Sequence, residues 1–88
     1  MLKKKFTIIN KYGLHARSAA RLVTLTSRYG CKIDIFTETK CVDAKSIMGV
    51  MTLAATQGTE IEITVQGEDE EEALAALEQL INDGFGEE

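Results

Sequence analysis

The chain of 88 residues is long enough for one domain with a modest hydrophobic core, and we expect residues 1–88 to form a single domain. Its composition, 44% hydrophobic and 27% charged residues, is typical of a soluble globular protein. No apolar stretch approaches the roughly 20 residues of a membrane-spanning helix, and the apolar run after the basic start is too short for a signal peptide. We therefore expect a cytoplasmic protein with no membrane partner.

The charge is unevenly divided along the chain. Residues 1–33 carry eight Lys and Arg and no acidic residue, which gives a net charge of +8. Residues 34–88 carry two Lys and fourteen acidic residues, which gives −12 and a total of −4. A basic first third on an acidic protein predicts an anionic partner that binds through one face.

The first third of the chain predicts a strand followed by a helix. Apolar alternation predicts a strand over residues 2–9, and Gly13 marks a turn in the loop that follows it. Helical periodicity predicts a helix over residues 16–28, with Gly30 as its stop signal. The stripe expected to be buried is formed by small and branched residues: Ala16, Ala19, Ala20, Leu22 and Val23.

A hairpin is predicted next. Residues 31–37 alternate clearly, and residues 40–43 are expected to pair back on them through a turn at Glu38-Thr39. In that register Cys41 faces Phe36 and lies several pairs from Cys31, so we expect both cysteines to stay reduced. One histidine and no CxxC spacing also predict that the chain holds no metal.

The second half predicts a short helix, a strand and a longer helix. Ser46 is the expected N-cap of the short helix, and residues 60–66 alternate as a strand. Asp69 and Glu72 have the spacing of a capping box for the last helix, which Gly84 ends. The buried stripe of that helix is expected to contain Ala73, Leu74, Leu77, Leu80 and Ile81.

The order βαββαβα predicts an α/β (α+β) protein. Strands with one apolar face favour a four-stranded antiparallel sheet with all three helices on that face, an open-faced β-sandwich.

Residues 13–17, Gly-Leu-His-Ala-Arg, contain the only histidine of the chain. His15 follows a glycine turn and starts a helix, where unpaired N–H groups and the helix dipole favour an anion. A neutral imidazole in this place is a nucleophile, and the Arg17 guanidinium could hold a phosphoryl group placed on it. From these five residues alone, His15 could equally be an N-cap or an ordinary surface residue.

About thirty residues later, residues 45–51 read Lys-Ser-Ile-Met-Gly-Val-Met. The two motifs at this spacing, in a chain of this length, closely resemble the HPr family, the histidine-containing phosphocarriers of the bacterial phosphoenolpyruvate-dependent phosphotransferase system. The resemblance extends over essentially the whole chain, and the open-faced sandwich of that family agrees with the predicted element order.

The resemblance implies a role for each motif residue. His15 would take a phosphoryl group on its δ1 nitrogen (pros-phosphohistidine) from phosphorylated enzyme I and pass it to an enzyme IIA-type acceptor, with Arg17 stabilising the phosphate. The protein would then be a component of a phosphoryl-transfer chain rather than an independent enzyme, without cofactor or metal. We expect a monomer whose partner-binding surface contains Leu14, Arg21, Arg28, Ile47, Met48 and Met51.

Ser46 lies in the second motif, and Ser18 directly follows the first. In many HPr proteins the serine at the place of Ser46 is phosphorylated by a dedicated ATP-dependent kinase, an HPr kinase/phosphorylase, although Ser46 is equally well explained as a helix cap. Ser18 stands where the family usually has proline. Because proline is tolerated but not required in a first helical turn, we expect little functional loss and a looser helix N-terminus.

Three alternatives remain open at this point. A nitrogen-type regulatory phosphocarrier, which supports no sugar transport, would differ in its acceptor protein. An RNA-binding module on an α/β sheet is disfavoured by 6% aromatic residues and a negative net charge, so we expect no nucleic-acid partner. A purely regulatory binding protein on this fold would not need His15.

Overall fold

The computed structural model describes residues 1–87, and the predicted element order is confirmed. The elements are β1 Leu2–Thr7, α1 Ala16–Thr26, β2 Lys32–Phe36, β3 Cys41–Asp43, α2 Ile47–Thr52, β4 Glu60–Gln66, α3 Glu70–Asn82 and a terminal 3₁₀ turn, Gly84–Gly86.

The four strands form one antiparallel sheet in the order β1-β4-β2-β3. Alternate residues of the two central strands are fully buried, among them Ile35 and Ile63, which pair across β2 and β4. The helices cover this apolar face, and the other face of the sheet carries polar residues such as Lys3 and Lys5. The predicted open-faced sandwich is thus confirmed.

The β2–β3 hairpin has the predicted register, with Phe36 opposite Cys41. Thr37 N–H donates to the Lys40 carbonyl at 2.9 Å and closes the turn. Five residues of extended chain separate Cys31 from Phe36, which corresponds to about 16 Å along the strand. This distance is too long for a disulfide between Cys31 and Cys41.

The buried face predicted for α1 is confirmed at Ala19 and Leu22, with Ala20 and Val23 half-buried, and is wrong at Ala16. Ala16 is exposed, and the fully buried positions are Ser18, Ala19, Leu22 and Thr26. Two polar residues can lie inside because they find internal partners. The Thr26 hydroxyl donates to the Ala44 carbonyl at 2.8 Å, and Ser18 bonds to the loop before the helix. The helix also ends at Thr26, two residues earlier than expected.

The capping box predicted for α3 is also wrong, since Asp69 makes no side-chain cap. Its carboxylate accepts the backbone N–H groups of Gly30 and Cys31 at 2.9 and 3.0 Å. The hydrogen bond from Gly30 is the largest cause of a lowered pKa of Asp69, and the bond from Cys31 acts in the same direction. Asp69 therefore joins the start of α3 to the chain entering β2. The buried residues of α3 are Ala73, Leu77 and Ile81, with Leu74 and Leu80 half-buried.

None of the helices formed by residues 1–87 is both long and apolar enough to span a bilayer.

Candidate histidine site

His15 is the N-cap of α1. Its backbone is extended, and its ring Nδ1 accepts the backbone N–H of Arg17 at 3.3 Å. The Ser18 hydroxyl accepts the backbone N–H of His15 at 2.9 Å, which completes a reciprocal capping arrangement. His15 therefore fills the capping role and, with a side chain 34% exposed, also presents its ring at the surface.

The loop before His15 is held against the loop after α2. Gly13 has φ +64°, and a Cβ on it would lie 2.2 Å from the Ala55 carbonyl oxygen, so only glycine fits there. Leu14 N–H donates to that carbonyl at 2.8 Å, and the Leu14 side chain is buried in the core. The assignment of Leu14 to an exposed partner-binding surface is therefore wrong.

The chain returns to His15 at its C-terminal end. Glu87 Oε2 lies 2.5 Å from His15 Nε2, and Glu87 Oε1 accepts the Asn10 side-chain amide at 2.8 Å. The Asn10 and His15 hydrogen bonds lower the pKa of Glu87, the Asn10 bond being the larger cause, against partial desolvation. Neither Asn10 nor Glu87 was predicted from the sequence. An aromatic residue after the helix-ending Gly84 was the available signal that the chain continues into the core, because Phe85 is fully buried.

The heavy-atom contacts around the ring match one neutral tautomer. Nδ1 lies where it accepts a backbone N–H, which requires a lone pair, and Nε2 faces a carboxylate, which suits a proton on Nε2. In this tautomer Nδ1 is the nucleophilic nitrogen and points to the N-terminus of α1. The sequence alone could not choose between the two nitrogens.

An open depression of about 750 Å³ lies over His15. It is lined by Tyr12, His15, Arg17, Arg21, Gly86 and Glu87. The Arg17 side chain is exposed, and within residues 1–87 its guanidinium makes no hydrogen bond. The Arg21 guanidinium donates to the Phe85 carbonyl and so also anchors the C-terminal segment.

Arg28 lies apart from the depression. The helix predicted over residues 16–28 would have carried Arg17, Arg21 and Arg28 together, and this is wrong for Arg28, because α1 ends at Thr26. All three nevertheless line a second groove along α1, beside Leu80 of α3. The basic face is thus longer than the histidine site, and Glu87 interrupts it at the ring of His15.

The second motif forms α2 and its cap. Ser46 Oγ accepts the Gly49 N–H at 3.1 Å, as predicted for an N-cap. Ile47, Met48 and Met51 are 39%, 70% and 40% exposed, whereas Val50 between them is fully buried. α2 packs against α1, so its exposed apolar residues lie on the helical side of the molecule, as His15 does.

The fold and the site together define a small open-faced α/β protein built to expose one histidine at a helix N-terminus. Residues 2–83 match the family model described as "PTS HPr component phosphorylation site". The chain therefore belongs to the HPr family, the phosphocarriers of the phosphotransferase system, as its motifs predicted.

Similar proteins agree with this assignment over the whole chain. The phosphocarrier protein HPr of Pseudomonas aeruginosa is 51% identical over 84 residues, which cover 94% of this chain and 93% of that protein. The crystal structure of HPr-C-His from Thermoanaerobacter tengcongensis has a TM-score of 0.96 at 45% identity, covering 100% of this chain and 99% of the other. A structure described as an HPr dimer from that organism has a TM-score of 0.79 at 45% identity, covering 99% and 100%. The nitrogen-type alternative is not favoured by these matches.

Proposed function

We propose that the protein accepts a phosphoryl group on Nδ1 of His15 from phosphorylated enzyme I and passes it to an enzyme IIA-type acceptor. The observation that carries this proposal is the orientation of the ring. Its lone-pair nitrogen faces the first N–H groups of α1, where the dipole of the helix favours a phosphoryl dianion. Family membership supplies the identity of donor and acceptor.

The transfer needs little from the protein beyond position and charge. The Nδ1 lone pair forms the new bond to phosphorus while the bond between phosphorus and the donor breaks, and the donor atom keeps that electron pair. The proton on Nε2 does not move. The exposed Arg17 guanidinium supplies a forked donor for two phosphoryl oxygens. The reverse displacement, on the acceptor, returns His15 to its neutral form.

Two surfaces would bring the partners together. The exposed Ile47, Met48 and Met51 offer adaptable apolar contacts, and Arg17, Arg21 and Arg28 offer positive charge for an acidic partner surface. We place the protein in the cytoplasm as a monomer. Sedimentation equilibrium tests the oligomeric state, and a stable dimer at micromolar concentration would contradict it.

We further propose that an HPr kinase/phosphorylase phosphorylates Ser46 and thereby regulates transfer. The Ser46 hydroxyl is half-buried at the first turn of α2, and Gly49 beside it has no side chain to crowd a phosphate. A phosphate at a helix N-terminus is electrostatically accepted, so the fold should tolerate the modification.

Incubation with phosphoenolpyruvate and purified enzyme I tests the central proposal. We expect one acid-labile phosphate per chain, with the ³¹P signal of a δ1-phosphohistidine. The matched control is Ser46→Ala, which should be phosphorylated to the same extent. Phosphorylation of His15→Ala by enzyme I would overturn the assignment.

A second incubation, with ATP and the kinase, tests the serine. It should give an acid-stable phosphate that Ser46→Ala lacks and Ser27→Ala keeps. Ser27 is the matched control because it is an exposed serine at the C-terminal end of α1. An acid-stable phosphate on Ser46→Ala would place the modification elsewhere.

A further inference from the structure

The C-terminal segment that carries Glu87 is anchored to the rest of the molecule. Phe85 is fully buried in the core, and the three residues Gly84, Phe85 and Gly86 all have positive φ, which turns the chain back over α1. Arg21 donates to the Phe85 carbonyl, and Glu87 N–H donates to the Gly84 carbonyl at 3.0 Å. This anchored turn therefore places the Glu87 carboxylate beside His15. The Glu87 side chain is only 11% exposed.

Asn10 holds that carboxylate from the other side. It is 6% exposed, and its Nδ2 donates both to the Gly13 carbonyl and to Glu87 Oε1, each at 2.8 Å. The opposite amide orientation would set Oδ1 against two oxygen atoms. Within residues 1–87, Asn10 Oδ1 itself has no hydrogen-bond partner, so this buried amide is oriented by what its nitrogen binds.

Among residues 1–87, the other charged side chains beside the ring are cations. Arg17 and Arg21 face it from α1, and the preceding loop contributes Tyr12, edge-on to His15, with Lys11 over the Tyr12 ring. Guanidinium and ammonium groups cannot accept a hydrogen bond from the imidazole. In this part of the molecule, Glu87 is thus the partner available to an Nε2–H group.

We infer that Asn10 and Glu87 form a positioning pair, in which the carboxylate keeps the proton of neutral His15 on Nε2 and leaves Nδ1 as the nucleophile. Its consequence for transfer rests on the proposed function, whereas the position of the proton does not. When Nδ1 donates its lone pair to phosphorus, positive charge builds up on the ring, and the carboxylate at Nε2 stabilises it. Glu87 touches only the far side of the ring, so it is a positioning residue.

The lowered pKa of Glu87 supports this role. A carboxylate whose pKa in the folded state lies below its ordinary value of 4.5 is ionised throughout the neutral range. Its interactions stabilise the fold above that ordinary value and are lost as the pH falls through the lower value. The positioning pair is therefore intact at the pH at which a phosphocarrier works.

¹⁵N NMR of the histidine ring tests the inference directly. At a pH where the ring is neutral, the wild-type protein should show a protonated Nε2 and an unprotonated Nδ1. In Glu87→Ala both nitrogen shifts should move toward the averaged values of a free imidazole. Glu87→Gln, which keeps the size of the side chain, should show a change in the same direction. Asp83→Asn removes one charge from the same segment without touching the ring and should match the wild type.

Transfer kinetics provide the second measurement. The single-turnover rate from enzyme I at saturation should fall several-fold in Glu87→Ala and not in Asp83→Asn, while the binding constant for enzyme I stays close to the wild-type value. Unchanged ring shifts in Glu87→Ala and Glu87→Gln would overturn the positioning pair even if the wild type is phosphorylated. Failure of the wild type to accept phosphate would instead overturn the proposed function.

Discussion

Ser18 Oγ lies 2.9 Å from the backbone nitrogen of His15 and accepts its N–H. The same hydroxyl donates to the Gly13 carbonyl at 2.8 Å, so one buried side chain closes the loop that carries the histidine. These two bonds argue against the expectation that a serine in place of proline loosens this helix end. A proline has no hydroxyl to make either bond, whereas Ser18 fastens the loop from inside the fold.

Replacing Ser18 by alanine should destabilise the protein. The change removes two hydrogen bonds at a buried position, from the His15 N–H and to the Gly13 carbonyl, and leaves the His15 N–H only its longer bond of 3.2 Å to the Gly13 carbonyl, which together cost about 1–3 kcal/mol. Urea denaturation measures the loss. Ser27→Ala, an exposed serine at the other end of α1, is the control and should stay within about 0.5 kcal/mol of the wild type. Equal stability of Ser18→Ala and Ser27→Ala would contradict the role of this hydroxyl.

Removing the Arg17 guanidinium should slow phosphoryl transfer. Its exposed side chain lines the depression over His15 and offers a fork of donors, so Arg17→Ala should lower the transfer rate far more than it lowers stability. Arg17→Lys keeps the charge but loses the fork, and should restore the rate only in part.

Arg28→Ala is the matched control for Arg17. It removes an arginine of the same basic groove that does not line the depression. We expect weaker binding of enzyme I by this variant but an unchanged rate at saturation, measured by rapid quench. A wild-type rate in Arg17→Ala would remove Arg17 from the site.

The sheet could be predicted from the sequence because its signal is local. Alternation along β2 and β4 is nearly perfect, and the turn assigned to Glu38-Thr39 was enough to predict the pairing of Phe36 with Cys41. The polar residues of the buried face of α1 could not be predicted in this way. Ser18 and Thr26 count as polar in any periodicity, yet both are buried, because each bonds to a backbone group outside the helix.

The histidine site likewise has a part that could be predicted from the sequence and a part that could not. His15 and Arg17 are two residues apart, so a short motif places both beside one helix end. Glu87 is 72 residues from His15, and its contact depends on the buried anchor Phe85 and on the amide of Asn10. Phe85 after Gly84 signals that the chain continues into the core, but no local pattern predicts the contact between Glu87 and His15. For the same reason Asp69 was assigned to its own helix, although its carboxylate binds the backbone at Gly30 and Cys31.

The two cysteines should react with thiol reagents at very different rates. Cys41 is exposed on the edge strand β3, whereas Cys31 is 3% exposed. Burial first, and then the hydrogen bond and charge of Asp69, raise the pKa of the Cys31 thiol and reduce its reactive thiolate form. With Ellman's reagent at mildly alkaline pH we expect one fast and one slow thiol. Cys41→Ser should lack the fast phase and Cys31→Ser the slow one. If the native protein showed no thiol that reacts with the reagent, the two cysteines would be bridged by a disulfide.

Substitutions of Ser46 separate the two roles of this serine. Its hydroxyl accepts the Gly49 N–H, so Ser46→Ala should lose about 0.5–2 kcal/mol of stability. Ser46→Asp keeps an oxygen acceptor at the N-cap and adds a negative charge that the helix N-terminus favours, so its melting temperature should stay close to the wild-type value.

The transfer rates then decide whether Ser46 is more than a cap. If the serine regulates docking, the added charge of Ser46→Asp opposes an acidic surface of enzyme I, and the variant should accept phosphate more slowly, chiefly through weaker binding. A true phosphoserine, with about −1.5 to −2 charges, should have a larger effect in the same direction. Ser46→Ala carries no added charge and should transfer at the wild-type rate once its lower stability is allowed for. Stopped-flow kinetics over a range of enzyme I concentrations distinguish a binding defect from a slower chemical step. A wild-type rate in Ser46→Asp at every concentration would leave Ser46 with its capping role alone.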